Sequence, residues 1–143
     1  MRDRPGATPL PITFLGLTIA TTLYAGFETQ ILPKADFHTV GWLVLATPVP
    51  LQLVPAVWGL IRGELAAATA SSVLGATWLA LAIATITGPV GAPGPSKAES
   101  LLLFASAAGL VVSVATELIE ADLVVALVLL TAACRFALTG VSG

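Results

Sequence analysis

Apolar residues fill this chain in five long runs, at 11–32, 39–61, 65–87, 100–118 and 123–139, with charge, proline and glycine collected between them. Each run approaches the roughly 20 residues that a helix needs to cross the hydrocarbon core of a bilayer. The pattern therefore predicts five transmembrane helices, and short connections make successive helices antiparallel neighbours. The stretch Gly88-Pro89-Val90-Gly91-Ala92-Pro93-Gly94-Pro95 cannot continue a helix, because proline lacks the N–H donor and glycine is entropically costly. It reads as an extramembrane loop. Glu117, Glu120 and Asp122 mark a tight acidic turn between the last two runs. No stretch remains for a soluble domain, so the expected fold is one all-α integral membrane bundle spanning 1–143.

Composition agrees with the pattern. Of 143 residues, 57% are hydrophobic and 10% charged, with a mean hydropathy of +0.98. A soluble domain carries about a quarter of its residues charged, so lipid is the expected solvent. The net charge of −2 comes without a basic run, which argues against a nucleic-acid partner. One cysteine, Cys134, and one histidine, His38, exclude a disulfide framework, bis-histidine haem and multi-histidine metal sites within one chain. No cofactor is expected. Met1-Arg2-Asp3-Arg4 resembles the start of a signal peptide, but the apolar run after it is too long, so it is read as a retained first span. Arg2, Arg4 and Arg62 against Lys34 and Lys97 favour a cytoplasmic N-terminus, by the excess of basic residues inside.

The helix faces carry further information. Ala67, Ser71 and Gly75 recur every four residues on the third helix, and Gly16 and Ala20 do so on the first. Small residues at this spacing let helix backbones approach closely, which predicts tight helix packing and suits a homo-oligomer. Thr18, Thr21 and Thr22 lie near the middle of the first helix. Their hydroxyls either bond a carbonyl one turn back or line a polar path for a small anion.

The second helix holds Pro48, Pro50 and Pro55, which free the carbonyls of Val44, Ala46 and Leu51. Freed carbonyls are costly in lipid, so this stretch should face protein or water, as should Gln52 between the prolines. The alternatives are a packing kink and a broken helix beside a permeation path. Glu28, Glu64 and Arg135 read as interfacial, with Arg135 close enough to the end of its helix to snorkel. No hydrolase triad, phosphate loop or paired-carboxylate site is present, and an enzyme is not expected.

Thr8-Pro9-Leu10-Pro11 leading into a Gly- and Thr-rich helix resembles the Asn-Pro-x-Pro opening of the acetate uptake transporter (succinate–acetate permease) family. Gln52, Gly63 and Leu74-Gly75-Ala76-Thr77-Trp78 fall on that family's Gln, Gly and Tyr-Gly-x-x-Trp positions without a gap, and the resemblance runs from about Pro9 to Thr139. It implies a hexameric ring whose protomers each pass small carboxylates through an apolar neck, here Leu17, Leu74 and Leu130. Bulky apolar side chains can gate a pore by dewetting. Departures are Thr8 for the opening Asn, Glu64 for the Asn after the motif Gly, an acidic turn where the family's tends to be basic, and no run for a sixth helix.

The resulting expectation is a multi-pass transporter or channel in the cell membrane for small monocarboxylates such as acetate, with protons as a candidate coupling partner. Its path would be lined by Gln52, Thr18, Thr21 and Thr22 beside the leucine neck. The alternative is a non-transporting scaffold or assembly subunit on the same fold. An anchor subunit of a redox or enzyme complex is a third reading.

Overall fold

Residues 9–90, 95–119 and 123–141 are described in the computed structural model of the chain, and they are almost wholly helical. Helix α1 (Leu10–Glu28) leads through a 3-10 turn at Lys34–Asp36 to α2 (Phe37–Ala46) and α3 (Pro48–Arg62). Then come α4 (Leu65–Thr87), α5 (Lys97–Ile119) and α6 (Leu123–Val141). Counting Lys34–Arg62 as one stretch, five helical segments among the described residues are long and apolar enough to cross a membrane. The Met1-Arg2-Asp3-Arg4 opening, Thr8, the loop centre at 91–94, and Glu120 and Asp122 of the acidic turn lie outside the described residues.

Three boundaries differ from the apolar runs, each for a local reason. The first helix stops at Glu28 rather than at 32. Gln30 takes a left-handed φ of 60°, and the Leu32 N–H donates to Gly26 O at 2.9 Å, folding the chain back over the helix end. The second span breaks at Thr47, with φ −119° and ψ −70°. Thr47 closes α2 through its N–H to Leu43 O at 3.0 Å, and its hydroxyl donates to the same carbonyl. Pro48 then opens α3 in the first turn, where a missing N–H is no loss, while Pro55 lies inside α3. The fourth run begins at Lys97 rather than 100 because Ser96 and Glu99 form a reciprocal cap. The Ser96 N–H donates to Glu99 Oε2 at 2.7 Å, and the Glu99 N–H to Ser96 Oγ at 3.3 Å. At the other end of α5, Glu117 is buried in the last turns rather than displayed in a turn.

Gly63 ends α3 in the left-handed region, φ 76°. Its N–H reaches Leu60 O at 3.2 Å and the Glu64 N–H reaches Gly59 O at 2.9 Å, a pair of bonds that needs a residue free to take positive φ. The Glu64 carboxylate, placed by this turn, pairs with Arg62 Nε at 2.9 Å.

Helix α4 is the centre of the bundle, packing against α1, α2, α3 and α5, while α6 lies chiefly against α5. Ala67, Ser71 and Gly75 on α4 and Gly16 and Ala20 on α1 are all buried in these interfaces. A Cβ at Gly16 would stand 3.1 Å from Pro48 O, and one at Gly75 2.8 Å from Leu53 Cδ2. The two glycines therefore let α3 sit in close contact with both α1 and α4.

The interior is mostly apolar, and the exterior is apolar as well. Hydroxyls are buried and joined between helices: Thr13–Ser71 at 2.7 Å, Thr77–Ser106 at 2.6 Å and Tyr24–Thr85 at 2.8 Å. Meanwhile Trp42, Val54, Trp58, Ile61, Leu101 and Val112 are exposed. Hydrogen bonds between helices contribute about 0.6 kcal/mol each in lipid, enough to fix register where hydrophobic burial does not drive association.

Candidate anion-binding cleft

Val128, Thr131, Ala132, Arg135 and Phe136 repeat at intervals of three and four on α6, which places them on a single helix face. That face turns toward Leu17, Thr18 and Thr21 of α1 across a cleft of about 370 Å³. Helices α1 and α6 do not pack closely, and the gap between them is the cleft. Its inner wall is stiffened from behind. Phe136 meets Trp78 edge-on at 5.6 Å, Trp78 stacks on Tyr24 at 5.5 Å, and the Tyr24 hydroxyl pairs with Thr85.

The chemistry of the cleft rests on Arg135. Its Nη1 donates to Thr21 O at 3.4 Å, and its Nη2 stands 3.8 Å from Glu28 Oε1. Both contacts are long for a charge-assisted pair, whose usual separation is 2.7–2.9 Å. A guanidinium has five N–H donors, so several remain available to an anion entering the cleft. The threonines are differently placed. Thr18, Thr21 and Thr131 donate to Phe14 O, Leu17 O and Leu127 O at 2.9, 2.8 and 2.8 Å. Their protons are engaged within their own helices, so they offer an anion no donor in this arrangement. A second cleft of about 230 Å³, between Leu65, Ala66 and Thr69 of α4 and Val112 and Ser113 of α5, holds no charged side chain.

The residues expected to form a path are divided among three environments. Leu17, Thr18 and Thr21 line the α1/α6 cleft. Thr22 is exposed and bonded back to Thr18 O at 2.8 Å. Leu74 is fully buried in the core, and Leu130 is 43% exposed. Neither of these leucines lines either cleft, and Leu17 also packs against the buried core that contains Leu74. Leu130 follows Val128 by two residues, about 200° around the helix, which puts it on the far face from the cleft.

Gln52 is also away from the cleft. It is fully buried where α3 meets α1 and α4, with its Nε2 donating to Thr13 O at 3.3 Å and its Oε1 without a partner among the described residues. Arg135 and Thr131 were not on the expected path. The signal that identifies them is the three-and-four spacing from Val128 to Phe136, polar at two positions of an otherwise apolar face.

Among the described residues, no group of three His, Cys, Asp or Glu side chains is placed to hold a metal ion. Comparison of the chain with models of known families, with curated proteins and with solved structures finds no match.

Proposed function

We propose that this chain is a multi-pass membrane protein that takes up small monocarboxylates through the α1/α6 cleft, in keeping with its resemblance to acetate uptake transporters. Five apolar spans, an apolar exterior and hydroxyls turned inward support residence in a bilayer. In that setting Arg135 lies six residues before the end of α6, about 9 Å along the helix axis. That is within snorkelling reach of the helix end, so the guanidinium keeps its charge where an anion arriving from water meets it.

The single observation that carries the reading is the Arg135 guanidinium, facing a cleft with donors in reserve and only long contacts to Thr21 O and Glu28. A carboxylate matches its planar fork, and a charge-assisted hydrogen bond contributes about 1.5–3 kcal/mol. Assembly as a homo-oligomer belongs to the same proposal, with the exposed apolar faces of neighbouring copies enclosing the open side of the cleft. Protons remain the candidate coupling partner.

A non-transporting scaffold is the second reading. It is favoured by the sealed interior, where Leu74 and Gln52 have no exposure at all. Uptake of labelled acetate into proteoliposomes separates the two, with flux into protein-free vesicles subtracted at each pH. The transporter reading predicts uptake above that background. Uptake that never exceeds it at any pH gives the scaffold.

A further inference from the structure

The cleft is too large and too apolar for acetate alone. Its α6 lining runs from Val128 to Phe136, about 12 Å along the helix axis, which is longer than acetate. The lining is also sorted along the cleft. The charge of Arg135 lies toward one end, beside Thr21 and Glu28, while Val128 lies seven residues away on the same face, about 10 Å along α6. Between them stand Leu17 and Ala132, with Phe136 just past Arg135, and the threonines there have already donated their protons to their own helices. The result is a cationic head site continued by a trough that asks for no hydrogen bonds.

From this we infer that the cleft selects a carboxylate carrying an unbranched alkyl chain, of about six to eight carbons by the roughly 10 Å length of the trough. The carboxylate pairs with Arg135 and the chain lies along Leu17, Ala132 and Val128. The inference rests on the anion-binding reading above and specifies its substrate class. Thr18 and Thr131 are exposed, so the trough is open along one side and a hydrocarbon chain lies there with one edge against lipid or a neighbouring copy. Glu28, 3.8 Å from Nη2, is the resident anion that a bound carboxylate displaces from Arg135. Its negative charge opposes binding and sets a threshold against weakly held ligands.

The test is equilibrium binding of labelled acetate, butyrate, hexanoate and octanoate to the full chain in nanodiscs of zwitterionic phospholipid, with empty discs subtracted. Affinity should rise about two- to fourfold for each methylene that enters the trough and level off near octanoate. Arg135→Gln should lower octanoate affinity at least tenfold, to the level of octanol, and Arg135→Lys should restore part of it. Glu28→Gln should tighten binding several-fold. Val128→Asn, which puts an amide that its own helix does not satisfy into the trough, should weaken octanoate several-fold and leave acetate unchanged.

Equal affinity for acetate and octanoate would overturn the alkyl selection while leaving the anion-binding reading intact. A length dependence undiminished in Arg135→Gln would also overturn it, since the chain would then be held elsewhere. Loss of Arg135-dependent binding in discs containing anionic phospholipid would assign the cleft to a lipid headgroup instead. No binding of any carboxylate would remove the inference and the function proposed above together.

Discussion

Placing a methyl group at Gly16 and at Gly75 should have opposite effects on stability, although both glycines are buried in helix interfaces beside Gln52. At Gly16 the new Cβ would stand 3.1 Å from Pro48 O, 3.1 Å from Gln52 Cγ and 3.2 Å from Leu51 Cβ. A backbone oxygen and a Cβ cannot swing aside, so α1 must move off α3, and overpacking of this kind costs about 1–3 kcal/mol. Alanine offsets that by about 1 kcal/mol of helix propensity, and a net loss of about 1 kcal/mol is expected.

At Gly75 the closest atom is Leu53 Cδ2, at 2.8 Å. It is the far end of a flexible side chain that is 37% exposed and able to rotate outward. Gly75→Ala should then be neutral or stabilising by about 0.5 kcal/mol, because the propensity gain is kept. Gly75→Leu adds a bulk that moving Leu53 cannot absorb, since Gln52 Cβ lies 3.3 Å from the same Cβ position, and its cost should reach about 3 kcal/mol. Unfolding in a mild detergent titrated with SDS, followed with size-exclusion of the native protein, should rank Gly75→Ala at or above wild type, then Gly16→Ala, then Gly75→Leu. Gly16→Ala as stable as wild type, or Gly75→Leu unchanged in stability and oligomer size, would refute the close-packing argument.

Gln52→Leu should raise stability by about 1 kcal/mol, because it removes a buried amide oxygen that has no partner among the described residues and keeps the volume; a lower unfolding midpoint would show that the amide holds α3 against α1. The Thr77–Ser106 bond, at 2.6 Å, should give a coupling energy of about 0.6–1.7 kcal/mol in a double-mutant cycle with Thr77→Val and Ser106→Ala. A value indistinguishable from zero would remove that bond from the account of α4–α5 register. With Cys134 replaced, Asp36→Cys in the connection before α2 should react with an impermeant reagent from outside intact cells; labelling only from the cytoplasm would invert the topology drawn from the basic residues.

The spans were legible because crossing a bilayer demands a length of apolar chain, and that demand is written directly in hydropathy. Their ends were legible only where a side chain signals them. Ser96 and Glu99 carry the start of α5 in a recognisable spacing, while the end of α1 depends on Gln30 entering the left-handed region and Leu32 folding back on Gly26. No local pattern announces that Gln30 will do so.

The candidate site divides in the same way. Thr18, Thr21 and Arg135 are visible as polar residues in apolar runs, and the face from Val128 to Phe136 follows from helical spacing. Which helix that face meets is a tertiary fact, so the approach of Arg135 to the Thr21 carbonyl and Glu28 cannot be read from the sequence. The leucine neck was drawn on different grounds. Its members were chosen by correspondence to a family rather than by face, and Leu130 points away from the stripe that includes Arg135.

The most direct measurement is substrate protection and block at position 131. In a chain with Cys134 replaced, Thr131→Cys puts a thiol on the cleft wall, and Leu130→Cys puts one on the opposite face of α6. The account predicts that acetate slows modification of Cys at 131 by a small methanethiosulfonate reagent and that the adduct abolishes protein-dependent uptake. The same reagent at 130 should be neither slowed by acetate nor inhibitory. Block and protection at 130, with position 131 indifferent to both, would contradict the cleft and move the path to the other side of α6.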